Sequence, residues 1–151
     1  MNNRANSDDR FVFFLNFFDR LPPQFFHLAA ALNELHIKLI PGHARQLSDL
    51  STNKKMVVVS IENDLMSRAG IKRAMDGSLG LNLRLKRISF VHISSFEKNS
   101  ALISLEKTNH YNFIRLPLEY HEIAKSIALK VVESRASINR WPGGRRAKLP
   151  T

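Results

Sequence analysis

A chain of 151 residues is long enough for one domain with a real core, and 44% hydrophobic with 24% charged residues is the balance of a soluble globular protein. It contains no cysteine, which excludes disulfides, zinc–thiolate sites and thiol nucleophiles. A formal net charge of +10 directs attention to anionic partners.

The first apolar stretch is "FVFFLNFF", Phe11 to Phe18. It is far shorter than the roughly 20 residues a bilayer span needs. The mixed charges of Asp8, Asp9 and Arg10 ahead of it do not suit a secretory signal. Integral membrane insertion is therefore not expected, and a cytoplasmic location is. Phe11, Phe14, Leu15 and Phe18 recur at helical spacing and predict a helix, broken by Pro22-Pro23. Phe25, Leu28, Ala29, Leu32 and Leu35 predict a second helix. Seven of the ten phenylalanines lie between Phe11 and Phe26. They read as helices docked on the core or as a patch for a homo-oligomer or protein partner.

"HIKLI" (His36–Ile40) predicts a short strand and "ARQLSDL" (44–50) a brief helix. "MVVVSI" (Met56–Ile61) is an unbroken β-branched run, the pattern of a strand buried on both faces. The two strands predict one crossover and a parallel pair. Glu62-Asn63-Asp64 offers capping side chains to a helix over 64–76, weakened at Gly70, and "DGSLG" (Asp76–Gly80) predicts a turn. Leu81, Leu83 and Leu85 alternate with Asn82, Arg84 and Lys86, which predicts a half-buried strand over 81–86. The phase slips near Arg87. "ALISL" (101–105) and "YNFIRL" (111–116) predict two more strands in an antiparallel meander. Tyr120, Ile123, Ala124, Ile127, Ala128, Val131 and Ile138 repeat at three, four and seven, predicting a long amphipathic helix. Pro142-Gly143-Gly144 cannot continue it.

The fold class expected from this order is α+β: a mixed sheet of about five strands packed by N-terminal helices and the long C-terminal helix. The alternative is a doubly wound α/β fold. Residues 1–138 form one domain and 139–151 a flexible basic tail.

No nucleotide-binding glycine loop and no nucleophile elbow is present. His121-Glu122 lacks the second histidine of a zinc-protease helix, and the other histidines have no ligand spacing. No metal, cofactor or catalytic residue is assigned, so the sequence leans away from an enzyme.

The excess charge sits in two segments. Residues 68–87 hold Arg68, Lys72, Arg73, Arg84, Lys86 and Arg87 against Asp76 alone, and residues 135–151 hold five bases and no acid. The rest of the chain is balanced. On the predicted strand, Arg84 and Lys86 point the same way, about 7 Å apart. In "INRWPGGRRAK", Arg140, Arg145, Arg146 and Lys148 flank Trp141, whose indole either anchors the chain end or stacks on an unpaired base. The expectation is a non-enzymatic nucleic-acid-binding protein, for RNA or single-stranded DNA, using both segments for phosphate contacts. With six to eight such contacts its affinity falls roughly 10³-fold or more between 50 and 200 mM salt. The alternative is a regulatory or adaptor protein whose basic clusters take an anionic nucleotide ligand or acidic protein, with the Phe-rich helices mediating oligomerisation. A third reading puts the same charge against anionic lipid.

Overall fold

The computed structural model describes residues 11–17, 20–43, 46, 56–97 and 110–139, with side chains as far as Ser134. In chain order the described elements are β1 (Phe11–Asn16), α1 (Pro23–Asn33), β2 (Lys38–His43), β3 (Met56–Glu62), α2 (Leu65–Asp76), α3 (Ser78–Arg84), β4 (Ile88–Ser94), β5 (Tyr111–Arg115) and α4 (Tyr120–Asn139). The five strands form one sheet in the order β2-β1-β3-β4-β5. Every adjacent pair is parallel.

Side-chain alternation along these strands divides the core in two. Val12, Phe14, Val57, Val59, Val91 and Ile93 pack with Leu28 and Leu32 of α1 and with Ile123 and Ile127 of α4. Phe13, Leu15, Val58 and Phe90 pack with Ile71 and Met75 of α2 and with Leu79 and Leu83 of α3. Strands buried on both sides need apolar residues at every position, which is why β1 and β3 read as continuous runs.

Local chemistry fixes the helix ends. Asp64 accepts a hydrogen bond from the Ser67 backbone N–H at 2.8 Å, and Ser67 Oγ accepts from the Asp64 N–H at 3.1 Å. This reciprocal box starts α2. At the end of α3, the Arg87 N–H reaches the Asn82 carbonyl at 2.9 Å and the Lys86 N–H reaches Leu83 at 3.0 Å, with Lys86 at φ 59°. These paired bonds are a Schellman closure, with lysine in the left-handed position usually taken by glycine. His36 closes α1 in the same way, at φ 61°. Gly77 alone separates α2 from α3. A Cβ at Gly80 would meet the Met75 carbonyl oxygen, so that tight junction requires glycine.

The predicted helix over residues 11–18 is instead strand β1. A short apolar run fits either period, and burial between two parallel neighbours decides for the strand. The predicted strand 81–86 is instead the end of α3 and the turn after it. Leu79 and Leu83 are buried one turn apart, whereas Leu81 and Leu85 are about half exposed. Leucine favours helix and lacks the β-branching of a strand former, so the alternation had no backbone preference behind it. The antiparallel meander is also overturned, since β4 and β5 continue the parallel sheet. β2 and β3 are not neighbours; they flank β1 on opposite sides. The architecture is thus α/β rather than α+β, and it is compatible with the doubly wound alternative. Strand β3, the 64–76 helix and the closing helix stand as expected, and the strand expected over 111–116 is β5, one residue shorter. The predicted strand 101–105, most of the helix at 44–50 and the whole tail from Arg140 lie outside the described residues.

Candidate functional site

Parallel strands place all their carboxyl ends on one edge of the sheet. There, β3 ends in Ser60-Ile61-Glu62 and β4 in His92-Ile93-Ser94, with Ser60 opposite His92 and Glu62 opposite Ser94. These four polar side chains alternate with the Val57, Val59, Val91 and Ile93 set, so they point to the α2–α3 face. Tyr111 of β5 lies on the same face.

They form one hydrogen-bonded chain. Glu62 Oε1 accepts from Ser94 Oγ at 2.7 Å and lies 2.9 Å from His92 Nε2, while His92 Nδ1 lies 2.7 Å from the Tyr111 hydroxyl. Ser60 Oγ donates to the Leu15 carbonyl at 3.2 Å, tying β3 to β1. An ionised Glu62 can only accept, so Nε2 donates to it; whether Nδ1 accepts the Tyr111 proton or donates to the hydroxyl oxygen follows from whether Nδ1 carries a hydrogen. The ring lies between Phe90 and Phe113, with centroids at 5.5 and 5.2 Å. His92, Ser94 and Tyr111 are at most 3% exposed. A substrate atom cannot reach the hydroxyls or the imidazole in this conformation, and the cluster's immediate effect is to lock β3, β4 and β5 in register.

Burial is the strongest influence on the Glu62 carboxyl and raises its pKa. The hydrogen bonds from His92 and Ser94, with the electrostatic pull of the His92 ring and of Arg68, outweigh burial and hold the group below its ordinary 4.5. Arg68 is the outermost member: its Nε lies 3.7 Å from Glu62 Oε2, and its guanidinium sits 4.9 Å from the centre of the Phe96 ring.

The cations singled out from the sequence do not form a single patch. Arg68 is engaged at the carboxyl edge. Lys72 and Arg73 are exposed farther along α2, which runs back across the sheet. Arg84, Lys86 and Arg87 are exposed where β4 begins, at the opposite edge and about 20 Å away at a strand rise of roughly 3.3 Å per residue. Arg84 and Lys86 lie on a helix end and a turn, not on a strand face. Among the described residues, Lys72, Arg73, Arg84, Lys86 and Arg87 make no ion pair. Arg73 and Arg84 also stand in the last turns of their helices, where positive charge complements the helix dipole. Arg140, Trp141, Arg145, Arg146 and Lys148 lie outside the described residues.

Phe13, Phe14 and Phe25 of the Phe-rich stretch are buried; Phe11 and Phe26 are 37% and 59% exposed. No described helix is long and apolar enough to cross a membrane. The buried cluster was missed in the sequence because Glu62 reads as a helix cap and His92 as a lone imidazole. Its signal was nevertheless present: polar residues two apart, Ser60 and Glu62, His92 and Ser94, at the ends of two otherwise apolar strands. No protein-family model matches the chain, and no curated protein aligns with it significantly.

Proposed function

We propose that this protein binds nucleic acid without catalysis, holding RNA or single-stranded DNA through phosphate contacts from the α2–α3 ridge and the basic tail. The observation that carries this reading is the exposure of these cations: Lys72 and Arg73 on α2, and Arg84, Lys86 and Arg87 at the end of α3, make no ion pair among the described residues, and Asp76 is the only acid between Arg68 and Arg87. Exposed cations with few acids beside them concentrate anions around them. The body that presents them is, on this reading, a doubly wound α/β domain, with helices on both faces of the parallel sheet.

Five such contacts on a single strand give a log–log salt slope near −3.5, a loss of roughly a hundredfold in affinity between 50 and 200 mM salt. The test is fluorescence anisotropy with a single-stranded oligonucleotide over that range. The triple change R84Q/K86Q/R87Q should weaken binding and flatten the slope by about 2.1. A salt-independent affinity, or a triple variant that binds like the wild type, rejects the proposal.

A second reading rests on Arg68 and Phe96 at the carboxyl edge, where ligands of open parallel sheets bind. A guanidinium beside an aromatic ring suits a nucleotide, in keeping with a regulatory protein that takes an anionic messenger. Binding of mono- or dinucleotides that is lost in R68Q, with no oligonucleotide binding, selects this reading over the first.

A further inference from the structure

Helix α4 buries Ile123, Ala124, Ile127, Val131 and Ser134 against the sheet. Its outer side departs from the usual solvated pattern. Leu129 is 64% exposed and Val132 55% exposed, in a stripe that also contains the exposed Glu122, Lys125 and Glu133. At 100° per residue, positions 122, 125, 129, 132 and 133 fall within an arc of roughly 100°.

We infer that this stripe is the contact surface for a second copy of the chain, with the two α4 helices packed antiparallel about a two-fold axis at Leu129. A two-fold contact must be self-complementary. In an antiparallel pair centred on residue 129, each residue faces the one equally far on the other side of the centre. Leu129 meets its own counterpart, Val132 lies opposite Ser126, and Lys125 lies opposite Glu133. The two apolar side chains thus form the centre, and two Lys125–Glu133 pairs close it symmetrically. No other register of this stripe sets Lys125 against Glu133 while placing a leucine on the axis.

Charge also favours an identical partner here. The chain carries +10 overall, which opposes self-association across the basic ridge. Residues 120–134 carry Glu122 and Glu133 against Lys125 and Lys130, so this helix can meet its own copy without net repulsion. Lys125 and Glu133 now pair within their own helix, with Glu122 at 3.6 Å and Lys130 at 3.1 Å. Exposed pairs of this kind are worth at most about 1 kcal/mol, so exchanging them across the axis costs little.

The test uses sedimentation of the full chain without nucleic acid, together with the absence of native cysteine. The wild type should shift from monomer to dimer as concentration rises, and L129D should weaken that association at least tenfold. K125E should weaken it about fivefold and the swap K125E/E133K should restore it, since two exposed pairs contribute roughly 1 kcal/mol. L129C should form an intermolecular disulfide quickly. E122C should not, because antiparallel packing holds the two copies of position 122 about 20 Å apart along the axis. A chain monomeric at about 0.5 mM, a dimer indifferent to L129D, or E122C cross-linking as fast as L129C overturns the inference.

Discussion

His92 Nε2 approaches Glu62 Oε1 to 2.9 Å diagonally across β3 and β4, although the register pairs Glu62 with Ser94 and His92 with Ser60. The diagonal is possible because both side chains lean along their strands on the same face. It lets one carboxylate oxygen serve two neighbouring positions of β4.

Removing the imidazole therefore has consequences at two ends. His92→Phe keeps the aromatic packing with Phe90 and Phe113 but removes the His92 Nδ1 contact of the Tyr111 hydroxyl and leaves Glu62 Oε1 with Ser94 alone of its two close hydrogen-bond donors. Losing one hydrogen bond from a buried network costs about 1 kcal/mol, and more where the acceptor is charged. Urea unfolding of His92→Phe should show a loss of about 1–3 kcal/mol. A loss below 0.5 kcal/mol would mean that the cluster does not hold the sheet together.

Acid should act on the same cluster. Glu62 in the folded chain titrates below its ordinary 4.5, and Asp64, hydrogen-bonded by Ser67, titrates below 3.8. A lowered folded pKa means that the ionised form stabilises the fold above the unfolded value, and that this contribution disappears as pH falls through the folded value. Stability should thus hold from pH 7 to about 5 and decline below about 4.5. Glu62→Gln should start less stable at pH 7 and lose less between pH 5 and 3. Denaturant midpoints at pH 7, 5 and 3 for both proteins check the sign.

Gly70 reverses a common rule. Glycine to alanine within a helix normally gains about 1 kcal/mol. A Cβ on Gly70, however, would come within 2.6 Å of Cγ of Phe17, just past the end of β1. Gly70→Ala should therefore lower the melting temperature by several degrees, the equivalent of about 1–3 kcal/mol. Adding Phe17→Ala should recover part of the helix gain. A Gly70→Ala protein that melts higher than wild type would show that the Phe17 ring can move aside.

Which parts of the fold were legible follows from the same particulars. α4 was legible because its apolar period runs for five turns, too long to imitate a strand. β3 was legible from Val57-Val58-Val59, and the start of α2 from Asp64, whose cap is chemically specific. β1 was not, since a six-residue apolar stretch carries no distinguishing period and its identity comes from the two strands beside it. α3 misled because Leu81, Leu83 and Leu85 alternate by chance while Leu79 and Leu83 do the packing. The ridge cations were legible as a charge excess, but their positions depended on that helix. The Glu62–His92–Ser94 cluster required knowing that β3 and β4 are parallel neighbours in register, a long-range fact that no local pattern encodes.

Lys86 separates the needs of the fold from those of the ridge. Its φ of 59° is left-handed, which costs a residue with a Cβ roughly 1–2 kcal/mol and glycine almost nothing. Lys86→Gly removes that strain and keeps both backbone bonds of the closure. Part of the gain is offset by the greater freedom of glycine in the unfolded chain, leaving a net stabilisation of up to about 1 kcal/mol, or 2–4 °C in melting temperature. The same change deletes one exposed cation between Arg84 and Arg87. If the ridge binds phosphates, affinity for the single-stranded oligonucleotide should fall as stability rises, with the salt slope flatter by about 0.7. A general loss of structure would lower both quantities together. A purely structural Lys86 would raise stability and leave binding unchanged. Opposite movement of melting temperature and affinity is the outcome that the ridge reading requires, and it is measurable on one variant with two instruments.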